Sequence, residues 1–401
     1  MGPFWKSVPP RLLSEATPCG CCPNTHNFYC TGGNPVIRNF KRTVAVLGAV
    51  AAGSIALTAC SETSENGSDG TTKVEGLSNT TGQLVAEGAS SQQKAVDLFG
   101  IKYSEAVPGA TFSYTASGSG SGQKQFIAGQ VAFGGSDSPL KDDQVEAAKQ
   151  RCEGNEAWHL PMVIGPVAVA YNIPGVDSVV LTPEVTAKIF KGEITKWNAP
   201  EIVELNKDAK LPELDIKVVY RSEESGTTDN FQKFLKATSN GVWEGSGKSF
   251  PAAVGAGANG STGVVGEVEK TEGGITYVEA GFAKDAGLGV AKIDFGSGAV
   301  ELSNESVNKA LANLSYKGEG HNMVVDSTKL FEMKEAGAYP LVLTTYEIVC
   351  SAGYDAETSG RVKDFLKVAL ANQGSDLEEL GYIPVEGEFK DKLTAAVDAI
   401  K

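Results

Sequence analysis

The chain has 401 residues, 41% of them hydrophobic, and a formal net charge of -14. That apolar fraction over that length supports about two packed domains and excludes a generally disordered chain. The acidic balance excludes a nucleic-acid binder, which needs a basic stripe to displace counterions from phosphates, but it leaves a small anionic ligand open, because a buried site responds to its local donors more than to distant, screened charge.

In chain order, residues 1 to 35 are rich in Cys, Pro and Asn, with Cys19, Cys21, Cys22 and Cys30 lacking the paired spacing of a zinc motif. They stand upstream of a basic flank, Arg38, Lys41 and Arg42, which precedes an apolar run from Val44 to Leu57. The flank, the short core and the small residues after it read as a secretory signal. A buried core helix is the competing reading; the run is too short for a transmembrane helix. The region closes with Leu57-Thr58-Ala59-Cys60, similar to the bacterial lipobox, in which the cysteine is lipidated, typically with palmitate, and becomes the mature N-terminus. Residues 1 to 35 do not fit ahead of such a signal, so translation is expected to start at Val36, from a GTG codon; a peptide from residues 1 to 35 in the unprocessed protein would contradict this. Residues 36–59 are then a signal peptide and residues 60–80 a lipidated tether, whose Ser61 to Lys73 stretch has the composition of a flexible linker. The expected location is extracytoplasmic, on the outer face of the cell membrane, held there by the lipid alone. Beyond Cys60 only Cys152 and Cys350 remain. Outside the cell such a pair is expected to oxidise to a disulfide, with two free thiols as the alternative.

From about Thr81, short β-branched runs alternate with helical segments, the pattern of α/β architecture. Strands are predicted over Gln83 to Glu87, Thr111 to Thr115, Val131 to Gly134, Met162 to Asn172 and Asp215 to Tyr220. Helices are predicted over Ser91 to Glu105, Ser121 to Gly129 and Asp142 to Arg151, and again after Thr182-Pro183, where Thr182 caps and Pro183 takes the first helical position. The tail from Asp355 to Lys401 reads as two or three helices, and no internal repeat is visible.

Three strand-to-helix junctions share one chemistry. In Tyr220-Arg221-Ser222-Glu223-Glu224-Ser225-Gly226-Thr227-Thr228 an arginine ends a strand, and hydroxyls and a glycine open a helix carrying Phe231, Phe234 and Leu235 at helical spacing. Unpaired N–H groups at a helix N-terminus favour an anion, and the arginine adds a planar fork of donors. Gly88-Ala89-Ser90-Ser91 and Ser117-Gly118-Ser119-Gly120-Ser121-Gly122 are the other two. Their glycines admit close approach of backbone amides and their serines can donate. An ordinary N-cap is the bland reading of each alone. Beside them, Phe133-Gly134-Gly135-Ser136-Asp137-Ser138-Pro139 ends a buried strand in an acid, which either caps the Ser138-Pro139 turn or faces the anion. A carboxylate repels an anion unless the anion brings a proton to donate; phosphate at neutral pH carries one and sulfate does not. Asp137 is thus the residue that could separate two near-isosteric oxyanions.

In their order, Gly88-Ala89-Ser90, the Ser119 loop, Phe133 to Asp137, Gly192-Glu-Ile-Thr-Lys-Trp197 and Arg221-x-x-x-Ser225-Gly226-Thr227 resemble the phosphate-binding protein of the bacterial high-affinity phosphate ABC importer, from about Thr81 to the C-terminus. The resemblance implies a type II periplasmic-binding-protein (Venus-flytrap) fold. Two α/β lobes joined by a hinge, residues 81–167 with 343–401 and residues 168–342, close on one phosphate. It implies crossovers near Gly165 to Ala170 and Tyr339 to Thr345, which put Cys152 and Cys350 on one lobe. It implies a hydroxyl donor at Ser90, a backbone donor at Ser91, hydroxyl and amide at Ser119, the proton acceptor at Asp137, the charged contact at Arg221, further grip from Ser225, Gly226 and Thr227, and a partner for Arg221 in Glu223. The expected partners are phosphate, permease subunits and their cytoplasmic ATPases, for a monomer with no cofactor and no metal. The chain departs from the family pattern at Ser91-Gln92, where the family often has an aromatic residue followed by proline; a backbone donor survives that change, while the wall of the cleft differs.

Other readings are weaker. Gly255-Ala256-Gly257-Ala258-Asn259-Gly260 fits a dinucleotide fingerprint literally but follows a poor strand, and reads as a glycine loop. Gly245-Ser246-Gly247-Lys248-Ser249 has Val242 where a P-loop needs its first glycine, and reads as a surface turn. A secreted phosphatase or serine hydrolase needs a base or clustered metal ligands; beyond the signal region there are only His159, expected to pack beside Trp158, and His321, expected on a surface loop. A receptor for sulfate or molybdate on the same fold is the remaining alternative, opposed by Asp137.

Overall fold

The computed structural model describes residues 74–401 apart from 252 and 313. The signal region, Cys60 and the tether up to Lys73 lie outside the described residues. Residues 74–80, expected to belong to the tether, are fastened to the body: the Ser78 N–H and hydroxyl donate to the Asp364 carboxylate at 2.7 and 2.8 Å, and Val74 and Leu77 pack on the core.

Alternation of strand and helix begins at β1 (Gly82–Gly88), followed by one 3₁₀ turn (Ser90–Gln92), α1 (Gln93–Ala106), β2 (Ala110–Thr115), α2 (Ser119–Ile127), β3 (Phe133–Ser136), α3 (Asp142–Arg151) and the long β4 (Ala157–Tyr171). The middle of the chain supplies β5 (Val180–Leu181), α4 (Pro183–Lys191), α5 (Pro200–Leu205), β6 (Lys217–Arg221), α6 (Gly226–Thr238), β7 (Ala256–Ala258), α7 (Gly260–Glu269), β8 (Gly274–Glu279) and α8 (Ala280–Asp285). Then come β9 (Gly289–Val290), β10 (Lys292–Asp294), β11 (Ala299–Val300), α9 (Asn304–Leu311) and α10 (Ser327–Phe331). The chain returns through β12 (Val342–Cys350) and ends in α11 (Ala356–Ala371), α12 (Ser375–Glu379) and α13 (Gly387–Ala399), the three helices of the tail.

The main sheet runs β2-β1-β3-β12-β4-β8-β6-β7, and β4 joins its two halves. From Ala157 to Pro166 it pairs with β12, and from Val167 to Tyr171 with β8. Its nearly continuous apolar run is buried along the strand, as expected of a strand covered on both faces. A second, three-stranded sheet is ordered β11-β10-β5.

Several boundaries depart from the sequence expectation for identifiable reasons. β4 begins at Ala157 rather than Met162: Pro161 argues against a strand interior, yet it sits where the β12 register shifts between Thr345 and Tyr346, and such irregularities tolerate proline. β3 extends to Ser136 and α2 starts at Ser119 because their glycines serve contact rather than propensity. A Cβ on Gly122 would lie 2.6 Å from the Gly135 carbonyl oxygen and 2.6 Å from Gly88 Cα, so β1, α2 and β3 can meet only without side chains there. The glycine run at 255–260 is a strand and a helix start, β7 into α7, rather than a loop. α3 and the Thr182 cap, which accepts from the Val185 N–H at 3.1 Å, lie where predicted.

Cys152 and Cys350 form a disulfide with Cα atoms 5.4 Å apart, tying the end of α3 to the end of β12. His159 is buried, and its ring packs edge-on against Tyr346 at 5.6 Å rather than beside Trp158, which instead meets His321 at 5.0 Å. His159 Nε2 accepts from the Leu140 N–H at 3.0 Å, and burial pushes the imidazole down to about 4, so it is a neutral structural acceptor.

Candidate functional site

Four N-terminal turns converge between the halves of the sheet. The 3₁₀ turn follows β1, α2 follows β2, α6 follows β6 and α7 follows β7. The first N–H groups of each have no partner within the helix. Ser90, Ser91, Ser119, Asp137, Arg221, Ser225, Gly226 and Thr227 are all brought to this place, and all are buried. The closeness of the two halves is measured by Gly226: a Cβ there would stand 2.4 Å from Ser119 Oγ and 2.6 Å from Asp137 Oδ2.

On the second half, Arg221 is 3% exposed and its guanidinium faces one carboxylate and three hydroxyls. Nε donates to Glu223 Oε1 at 2.6 Å, and Nη2 also contacts this oxygen. Nη2 reaches Ser90 Oγ at 2.7 Å, and Nη1 reaches Thr227 Oγ1 at 3.2 Å and Ser261 Oγ at 3.3 Å. Glu223 in turn accepts from the Gly260 N–H. Ser225 caps α6, its hydroxyl oxygen accepting from the Thr228 N–H at 3.2 Å.

On the first half, Asp137 does not merely cap a turn. Its Oδ1 accepts from Ser91 Oγ at 2.6 Å and Thr345 Oγ1 at 2.7 Å, and its Oδ2 from Ser119 Oγ at 3.1 Å. A carboxylate offers about four lone-pair positions. Three hydroxyls occupy three of them, and one on Oδ2, the oxygen beside Gly226, remains for a further donor. Burial pushes Asp137 up to about 6, reinforced by Glu279 and opposed by the Ser91 and Thr345 hydroxyls and by Arg221. At neutral pH it is an ionised acceptor.

Three further residues belong to this cluster and escaped the sequence reading. Ser261, in the first turn of α7, donates from its N–H to Ser90 Oγ at 3.0 Å. Glu279, at the end of β8 and 1% exposed, accepts from Ser261 Oγ and Thr227 Oγ1, both at 2.7 Å. The Thr227 hydroxyl is therefore spent on Glu279, and its backbone N–H is the group left to face a ligand. Thr345 lies inside β12. The signal for Ser261 was present, since Gly260-Ser261 repeats the glycine–serine junction of the other helices; an acid or a threonine in an apolar strand gives no such signal.

The segment read as a surface turn, 245–249, contacts the cleft rim: Lys248 Nζ donates to Gln123 Oε1 at 2.5 Å, across from the other half. Nearby, Lys124 pairs with Glu224 at 2.5 Å, the Gly120 N–H donates to the Glu224 carbonyl, and Ser138 Oγ donates to Asp229 Oδ2 at 2.6 Å. Among the described residues there is no cluster of three or more acids, histidines or cysteines able to hold a metal.

The site is thus one cation, ionisable carboxyls and a ring of hydroxyl and amide donors, an arrangement suited to a partly protonated oxyanion held by directed hydrogen bonds. Comparison with known proteins agrees with it. A family model described as a PBP superfamily domain matches residues 73–373. The phosphate-binding protein PstS 3 of Mycobacterium tuberculosis (strain ATCC 25618 / H37Rv) is 43% identical over 375 residues, covering 90% of this chain and 99% of the relative. The phosphate-binding protein PstS of Haemophilus influenzae is 30% identical, covering 70% of this chain and 82% of the relative. Among solved structures, a high-affinity periplasmic phosphate-binding protein, PfluDING, bound with phosphate, superposes with a TM-score of 0.63 at 22% identity, covering 78% of this chain and 93% of that one. The chain belongs to the PBP superfamily and, within it, to the family of the PstS phosphate-binding proteins.

Proposed function

We propose that this chain is an extracytoplasmic receptor that binds inorganic phosphate and delivers it to an ABC permease for uptake, performing no chemistry of its own. The observation that carries this reading is the buried Asp137 carboxyl, which accepts from three hydroxyls and has one acceptor position left on Oδ2, the oxygen beside Gly226. A P–OH group can donate to it; sulfate and molybdate, unprotonated at neutral pH, leave it unpaired. Lobe I is residues 81–167 with 343–401 and lobe II residues 168–342, a division supported by the change of partner along β4 between Pro166 and Val167.

In this assignment lobe I supplies Ser90 Oγ, the Ser91 N–H, the Ser119 N–H and Asp137. Lobe II supplies Arg221, Ser225 and the N–H groups of Gly226 and Thr227, with Glu223 fixing the plane of the guanidinium. Closure buries the anion and exchanges water for directed hydrogen bonds. The sequence supports lipidation at Cys60 and argues against a nucleic-acid partner. Calorimetry on the chain from Ser61 onward tests the reading. Phosphate should bind more tightly than sulfate by ~10⁴-fold or more, the ratio reached by sites built around a ligand hydroxyl; equal affinities would refute it.

A further inference from the structure

Behind Asp137 lies a second buried acid with no part in the contacts above. Glu347 is 1% exposed on β12, directly opposite Gly135 of β3 and Leu160 of β4. Residues paired across a ladder share a face, so its side chain rises where Gly135 has none. That space is filled from the neighbouring elements: a Cβ on Gly135 would lie 2.4 Å from Gln92 Nε2 and 2.4 Å from the Tyr114 hydroxyl. Gln92 Nε2 donates to that hydroxyl at 3.1 Å, and the hydroxyl donates to the Ala89 carbonyl at 2.8 Å, so neither Tyr114 nor the Nε2–H in use satisfies the acid.

Two oxygens in this cluster are buried without a hydrogen-bond partner, Gln92 Oε1 and Glu347 Oε2. If Glu347 is ionised, both are acceptors with no donor, and each such burial is costly. One proton on Glu347 makes the acid a donor, and an acid–amide pairing satisfies both oxygens. Gln92 is the polar side chain that acts on Glu347, and Asp137 is the charged neighbour.

We propose that Glu347 is a positioning residue for the anion: it holds a proton shared with Gln92 when the site is closed and loaded, leaving Asp137 as the one ionised carboxyl of lobe I beside the bound anion. This rests on the phosphate reading above. Two anionic carboxylates so close would oppose both each other and the ligand, and a neutral Glu347 removes that opposition. The other titratable groups around it are accounted for. Asp137 faces it from the end of β3 and Tyr114 from β2. From β4, His159 registers with Ile348 and so lies on the opposite face, already paired with Leu140 and Asn322. Burial pushes Glu347 up to about 8, opposed by Gln92 and reinforced by Asp137, which agrees with the proton inferred from geometry.

The test is calorimetric phosphate titration of the wild type and Glu347→Gln from pH 7 to 9.5, each in buffers of different ionisation enthalpy. At pH 7 the two should bind phosphate within about twofold. Above about pH 8 the wild type should weaken relative to the variant, approaching ~10-fold per pH unit, because binding then requires uptake of a proton. At pH 9 the phosphate itself is the dianion, so the wild type should take up nearly one proton per phosphate bound, and the variant none. Parallel pH profiles, or no proton uptake by the wild type at pH 9, would overturn the proposal; the second reading needs no variant and stands if Glu347→Gln does not fold. Absence of phosphate heat in the wild type at pH 7 would instead remove the phosphate reading, and this inference with it.

Discussion

On the lobe II side the cleft offers a cation and donors: Arg221, Ser225 and the helix N-termini at Gly226 and Gly260. On the lobe I side it offers donors too, but also an acceptor, Asp137, braced by three hydroxyls from the 3₁₀ turn, α2 and β12. Any tetrahedral oxyanion satisfies the first set, because each of its oxygens accepts. Only an anion that keeps a proton satisfies the second. In the proposed reading, attraction and discrimination therefore fall to different lobes, and Glu223 paired with Arg221, with Glu279 beside it, tempers the attraction, leaving oriented dipoles to hold the ligand.

That contrast can be broken from either side. Arg221→Ala should have the largest effect, weakening phosphate by roughly 2 to 5 kcal/mol, since it removes a buried charged contact and leaves Glu223 without its cation; sulfate should weaken alike, so calorimetry should find the ratio of the two affinities little changed. Replacing both Cys152 and Cys350 with serine should cost about 2 to 5 kcal/mol of stability in denaturant unfolding. Because the bridge pins β12, which carries Thr345, this damage should fall on lobe I.

Lowering pH should erode the contrast more gently. The Asp137 carboxyl, raised to about 6, is ionised above that pH and protonated below it. A protonated Asp137 can donate, so sulfate affinity should climb by up to ~10-fold per unit between pH 8 and 6 and then level off; a flat sulfate profile would count against the assignment. Thr345→Val should have the smallest effect. Losing one donor to the charged form raises Asp137 further, and the onset of sulfate binding should move upward by about one pH unit or less.

Much of the candidate site was legible because its residues sit at helix starts, where Ser, Gly and Thr patterns are local. Arg221 to Thr227, Gly88 to Ser91 and the Ser119 loop all fall there. Asp137 was readable from the oddity of an acid after a buried Phe133-Gly134-Gly135 strand. Glu279, Thr345 and Glu347 were not, because each is a single polar residue in an apolar strand whose partners come from distant parts of the chain. In the fold, α3 was predicted residue for residue, whereas β3, β4 and α2 were shifted by Pro161 and by glycines whose purpose is close packing. Local propensity cannot express such tertiary demands.

The most direct test of the division of labour compares phosphate and sulfate binding by calorimetry at pH 7.5 in the wild type, Asp137→Asn and Arg221→Ala. The account predicts that Asp137→Asn, whose amide can donate to sulfate, narrows the affinity ratio by ~100-fold or more, while Arg221→Ala lowers both affinities and preserves the ratio. An unchanged ratio in Asp137→Asn, or a ratio that collapses only in Arg221→Ala, would contradict it.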